Sequence, residues 1–275
     1  MTRIAQRTYR IRRRNRRIRL VLVLLLLAAA ALLLIWRRSK PEMMLTAHST
    51  PAPTQAGYDQ QVVTREVLLE EEVWYAIQTG VFSGKEAAME KAEAYAQRGA
   101  PGTVVQDGAK WRVFIASYAS ETDAAAVRQH LGEQRVETYL YPWVCPEIRL
   151  RLTGMAGQLD VAEAGLTLWT QAARQLRDAA LLLDSSQVKP EDVMEIVREL
   201  DGQIRLWAET ARDRFGSRPP ELIAEMLALT AQWTQRQSTL AKSAGDAYDL
   251  SASLKAHAME LFSDMIALRG MIGAE

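Results

Sequence analysis

Residues 75–82 read Tyr75-Ala76-Ile77-Gln78-Thr79-Gly80-Val81-Phe82, and residues 111–118 read Trp111-Arg112-Val113-Phe114-Ile115-Ala116-Ser117-Tyr118. Both stretches are rich in β-branched and aromatic residues, which favour strands. They repeat each other at a spacing of 36 positions: Tyr75 with Trp111, Ile77 with Val113, Gly80 with Ala116, Phe82 with Tyr118. Each is followed by a helical pattern. Ser83-Gly84 opens an Ala/Glu/Lys segment that runs to Gly99, and a second helix starts at Glu121 and runs to about Gln134. A short strand over residues 103–106 turns at Asp107-Gly108, a hairpin signal, into the second of the two quoted strands. Glu137-Thr138-Tyr139-Leu140-Tyr141 supplies a last strand. The order β-α-β occurs twice, as an internal duplication. It predicts an α+β fold built on a ferredoxin-like βαββαβ domain, with two helices on one face of a four-stranded sheet and the other face uncovered.

Toward the N-terminus the character changes sharply. The 275-residue chain has a net charge of only +1, yet its first forty residues hold twelve Lys or Arg and no Asp or Glu. Residues 20–36 are unbroken apolar, LVLVLLLLAAAALLLIW. As a helix rising about 1.5 Å per residue, this run reaches most of a roughly 30 Å hydrocarbon core. No small-x-small cleavage pattern follows it, only Trp36-Arg37-Arg38-Ser39-Lys40, so an uncleaved anchor is expected rather than a signal peptide. Nine arginines precede the run and three basic residues follow it. The positive-inside rule then places the N-terminus in the cytoplasm and the rest of the chain outside. Residues 39–64 contain Pro41, Pro51, Pro53 and Gly57 among Ser, Thr, Ala and Gln, without strand or helix period, and read as a tether. Leu68-Leu69-Glu70-Glu71-Glu72 reads as a short acidic helix or a solvated lead-in.

Toward the C-terminus, Glu147-Ile148-Arg149-Leu150-Arg151-Leu152-Thr153 alternates like a strand. After it, apolar residues recur at helical spacing over residues 158–183, 190–215, 219–243 and 247–272. Pro190 and Pro219 stand where helices begin and Gly216 where one ends. An antiparallel helical bundle is the expected product. The organisation is thus a basic cytoplasmic tail at 1–19, a transmembrane helix at 20–36, an extracytoplasmic linker at 37–72, the βαββαβ domain at 73–145 and a helical domain at 146–275.

The strand 75–82 resembles the opening signature of the SPOR (sporulation-related repeat) family, aromatic-x-Val-Gln-x-Gly-Ser-Phe. Residues 111–118 resemble its companion, aromatic-Arg-Val-x-Val-Gly-Pro-Phe. The resemblance covers about 72 residues, with two departures: Val81 stands where the family has serine, and Ala116-Ser117-Tyr118 where it has Gly-Pro-Phe. It implies binding of peptidoglycan glycan strands stripped of their stem peptides, and enrichment at the division septum. The motif positions Gln78, Gly80, Val81 and Arg112 become candidate glycan-binding residues. Gln78 alternates away from Tyr75 and Ile77, and its amide offers both donor and acceptor to sugar groups. Phe114, Tyr139, Tyr141 and Trp143 are candidates for stacking on pyranose rings, whereas Trp111, Val113 and Ile115 read as core.

Residues 73–145 hold seven Lys or Arg against eight Asp or Glu. A nucleic-acid reader is basic, and neutral glycan is the better match. No catalytic machinery is expected. Ser186-Gln187-Val188-Lys189 has the Ser-x-x-Lys spacing, but no Ser-Asp-Asn or Lys-Thr-Gly accompanies it, and Ser185 or Ser186 before Pro190 reads as a helix start. His48, His130 and His257 are scattered, Cys145 is the single cysteine, and neither a metal nor a cofactor is expected. The expected protein is non-catalytic: a single-pass protein of the cytoplasmic membrane, holding septal glycan in cell division or sporulation, with the helical domain meeting division or sporulation proteins. The alternative is a structural or assembly protein acting through contacts of the bundle.

Overall fold

Two antiparallel sheets and six helices make up the described part of the chain. The structure is a computed structural model that describes Asp59 and residues 61–273. The apolar run at 20–36 and the first part of the tether lie outside the described residues. Among those described, no helix is long and apolar enough to cross a membrane.

The duplicated segment folds as β2 (Glu72–Phe82), α1 (Lys85–Ala96), β3 (Thr103–Asp107), β4 (Lys110–Tyr118), α2 (Glu121–Glu133) and β5 (Tyr139–Cys145). The sheet order is β3-β4-β2-β5, so the two repeated strands lie side by side at its centre. Both helices pack on one face, Ala88 and Ala92 of α1 against Val113, and Ala124 of α2 against Ile77 and Ile115. Ser120 starts α2, its hydroxyl accepting from the Asp123 amide at 3.3 Å, which satisfies one of the free N–H groups of the first turn. The β3–β4 turn needs Gly108 at φ +57°, where an L side chain is disfavoured. This much is the expected sandwich.

Residues 62–69 depart from the expected linker. They form β1 (Val62–Leu69), paired along its whole length with β6 (Ile148–Met155), from Val62 opposite Met155 to Leu69 opposite Ile148. Val67 and Leu69 face the main core on alternate positions, and that burial is what draws the end of the tether into a strand. Arg65 bonds Asp160 at 2.7 Å and Glu163 at 3.1 Å, so a charged residue is tolerated on the inner side of the strand. Glu70–Glu72 is accordingly neither helix nor loose lead-in: Glu72 begins β2 and accepts from Trp74 Nε1 at 2.7 Å and Arg174 Nε at 2.8 Å.

The bundle comprises α3 (Ala156–Asp184), α4 (Pro190–Phe215), α5 (Glu221–Ser243) and α6 (Ala247–Ile272), close to the bounds read from periodicity. Its core includes Trp169 and Trp233, and Trp207 Nε1 donates to the Val161 carbonyl at 2.9 Å. The Ser-x-x-Lys segment is the α3–α4 connection. Ser185 ends α3, while Lys189, not either serine, caps α4. Asp192 accepts from the Lys189 amide at 3.1 Å, and Pro190 sits in the first turn, where its missing N–H costs nothing.

The expectation of an uncovered sheet face is overturned. Helix α6 lies against β3, β4 and β5 on the side opposite α1 and α2. Phe262 stacks on Trp74 with centroids 4.1 Å apart and meets Trp143 edge-on at 5.0 Å, and Arg177 of α3 lies over Trp74 at 4.5 Å. Trp74, Phe114, Trp143 and Cys145 belong to the same core as the bundle. Polar fastenings surround this contact. Arg269 Nη1 donates to the Glu70 carbonyl at 2.7 Å and the Pro146 carbonyl at 2.8 Å, and Tyr248 Oη donates to the Arg98 carbonyl at 2.9 Å. The physical reason is a face too apolar to stand in water: Trp74, Ala76, Phe114 and Trp143 share it, and burying each large aromatic contributes roughly 1.5–3 kcal/mol.

Candidate functional site

Helix α6 covers only part of the sheet face, the part nearest Trp74 and Trp143. At the other end of the strands the polar residues gather. Gln78 pairs with Phe114 on one side and Tyr139 on the other, with a register irregularity around Thr79 that sets Val81 opposite Arg112. Gly80 falls at this bulge. A Cβ there would lie 2.7 Å from the Phe82 ring, so glycine lets that ring fold back over the strand.

Four side chains form one network. Arg112 Nη1 donates to Gln78 Oε1 at 2.8 Å, and Arg112 Nε donates to Asp107 Oδ2 at 2.6 Å. Tyr141 reaches from the opposite edge strand β5 to donate its hydroxyl to the same Asp107 oxygen at 3.1 Å. The Arg112 guanidinium lies 4.2 Å from the Tyr141 ring centroid, within cation–π range, and Tyr141 stacks on Phe114 at 5.6 Å. The hydrogen bond from Arg112 holds the Asp107 carboxyl below its ordinary range despite partial burial. Tyr141 is shifted upward, by burial first and then by the Asp107 charge, so its hydroxyl stays a donor at neutral pH.

Beside the network is a groove of about 330 Å³. Its floor is Val105, Asp107, Arg112 and Tyr141, and its far wall is Ser263, Ile266 and Ala267 of α6. Phe114 and Trp143 reach it from below, although both are almost wholly buried.

The structure therefore sorts the candidates into three groups. Gln78, Arg112 and Tyr141 converge, but Gln78 is buried and its carbonyl oxygen is engaged by Arg112, so its amide is not the open sugar contact expected of it. Phe114 and Trp143 are core under α6 rather than free stacking platforms. Val81 and Tyr139 are exposed on neighbouring strands, Tyr139 donating to Glu137 at 2.7 Å. Asp107 is absent from the sequence candidates because its place before Gly108 marks it as a turn residue. A carboxylate five positions from Arg112 across a hairpin was the available signal. The α6 wall carried no such signal.

The groove is lined by a guanidinium, a phenol ring with its hydroxyl, and the Asp107 carboxylate. Cys145 is buried, and burial pushes its thiol up to about 11, leaving it unreactive at neutral pH. Among the described residues, no group of three or more His, Cys, Asp or Glu is placed to hold a metal ion.

Residues 74–142 match the family model of the SPOR domain, a peptidoglycan-binding domain family. The matched region runs from β2 into β5 and contains the Gln78–Asp107–Arg112–Tyr141 network; helices α3–α6 fall outside it. No curated protein and no solved structure matches the chain.

Proposed function

We propose that this SPOR-domain chain is a membrane-anchored, non-catalytic protein that binds denuded peptidoglycan glycan strands at the septum in cell division or sporulation. The observation that carries the reading is the Asp107–Arg112–Tyr141 cluster beside a groove, inside the matched domain. Carbohydrate sites combine directed hydrogen bonds with a flat apolar surface, and these residues supply both. The anchor rests on the apolar run at 20–36 and its flanking arginines, which point the SPOR domain out of the cytoplasm. The reading of binding without cleavage is supported by the groove's lining, where Asp107 is held by Arg112, whereas glycoside hydrolysis generally uses a pair of carboxyl groups.

A second reading, an assembly protein acting through the bundle, draws on the burial of Phe114 and Trp143 beneath α6 and on Val81 in place of a serine. Co-sedimentation of the detergent-solubilised full chain with sacculi separates the two. Glycan binding requires that wild type pellet with amidase-treated sacculi more than with untreated ones, and that Arg112→Ala with an unchanged melting temperature stay in the supernatant. Equal recovery of wild type and Arg112→Ala, or no pelleting of either, rejects it in favour of the assembly role.

A further inference from the structure

We infer that helix α6 is half of the binding site: Ser263, Ile266 and Ala267, which lie outside the SPOR domain, form a selective second wall of the saccharide groove. This rests on the glycan-binding reading above and concerns the same groove.

The rotation of α6 is set by Phe262, seated between Trp74 and Trp143. With 3.6 residues per turn, positions 263, 266 and 267 share the flank next to that anchor, and these are the α6 residues lining the groove. Ser263 and Ala267 lie outside the core, and Ile266 packs against its edge while lining the groove. Ala267 is exposed and Ser263 and Ile266 are half-buried, whereas Phe262, Met265 and Leu268 are buried. The helix thus turns one flank into the core and leaves another free to meet a ligand.

The two walls differ chemically. The sheet side presents the polar groups of Asp107, Arg112 and Tyr141 over apolar Val105, Phe114 and Trp143; the helix side presents a butyl group, a methyl and one hydroxyl, and no charge. A ligand with a polar edge toward the charged groups and an apolar substituent toward the helix matches these two sides. A sugar ring bearing an acetamido group has that character, with hydroxyls toward Asp107 and Arg112 and the acetyl methyl toward Ile266 and Ala267. At about 330 Å³ the groove is at the small end of ligand sites, which fits a short segment of sugar chain between two walls rather than a broad open platform.

The test measures retention of the full chain in detergent on amidase-treated glycan strands. Ala267→Trp fills the groove from an exposed position, and Ile266→Ser removes its apolar wall without adding bulk. Leu206→Trp, on exposed α4 surface away from the groove, is the control. Ala267→Trp is expected to weaken binding about tenfold or more with a wild-type melting temperature, and Ile266→Ser several-fold in protein that still melts cooperatively well above the assay temperature, while Leu206→Trp binds normally. If wild type binds and both α6 variants bind equally well, the second wall is refuted while glycan binding stands. If wild type fails to bind denuded strands, the glycan reading itself has failed and this inference falls with it.

Discussion

The rings of Trp74 and Phe262 lie 4.1 Å apart and within 10° of parallel, which joins the second strand of the chain to its last helix. Trp74 is fully buried and Phe262 is 2% exposed, so the contact belongs to a core that the SPOR domain and the bundle share. The βαββαβ segment, expected to leave one sheet face uncovered, is built into a larger unit with the bundle.

Phe262→Ala removes a buried ring facing Trp74 and Trp143. The resulting cavity should cost about 3–5 kcal/mol, read as a lower urea midpoint, and Phe262→Leu should cost less. An unchanged midpoint for Phe262→Ala would mean that α6 is not seated on the sheet.

Ending the chain after Pro146 strips the cover from Trp74, Phe114, Trp143 and Cys145 and deletes β6, the partner of β1. The shortened protein should aggregate or melt without cooperativity, because a contiguous apolar face of this size is unstable in water. Circular dichroism melts of the two lengths make the comparison.

The central strands, the α1 and α2 packing and the helices of the bundle were legible because their signals are local. Period-2 and period-3.6 patterns, Pro190 at a helix start and Gly216 at a helix end all act within a few residues. What escaped depends on partners far along the chain. β1 becomes a strand by pairing with β6, from Val62 opposite Met155 to Leu69 opposite Ile148, and its charged residues hide the alternation. The cover on the sheet did leave a trace: Val113 to Tyr118 are buried without a break, and a strand buried on both faces has no polar alternation. Phe114, expected as an open stacking platform, is core for that reason. Arg112 and Tyr141 are legible by motif and residue type, whereas turn chemistry hides Asp107.

Cys145 reports the integrity of this junction. Burial raises its thiol from the ordinary 9.0 to about 11, so native protein at pH 8 should alkylate far more slowly than protein in urea. The sign of the linkage follows: the stability that accompanies the buried neutral thiol is fully present below 9.0 and is lost as pH rises toward about 11. Iodoacetamide labelling followed by mass spectrometry measures the protection, and rapid native labelling would place Cys145 at the surface.

Asp107 titrates in the opposite sense. Its folded carboxyl lies below the ordinary 3.8 because Arg112 donates to it, so its contribution to stability is present above 3.8 and fades as pH falls below that value. The gap in urea midpoint between wild type and Asp107→Asn should be constant from pH 7 to pH 5 and close in stronger acid. A gap that widens on acidification would contradict the Asp107–Arg112 pairing.

Hydrogen exchange of the full chain with and without amidase-treated glycan strands tests most directly whether the groove between sheet and last helix is the ligand site. Slowed exchange in residues 105–112, 139–143 and 262–267 together, with α1 and α2 unaffected, is the expected result. Saturating glycan that leaves those three segments unchanged, or protects only the α1 and α2 face, would contradict it.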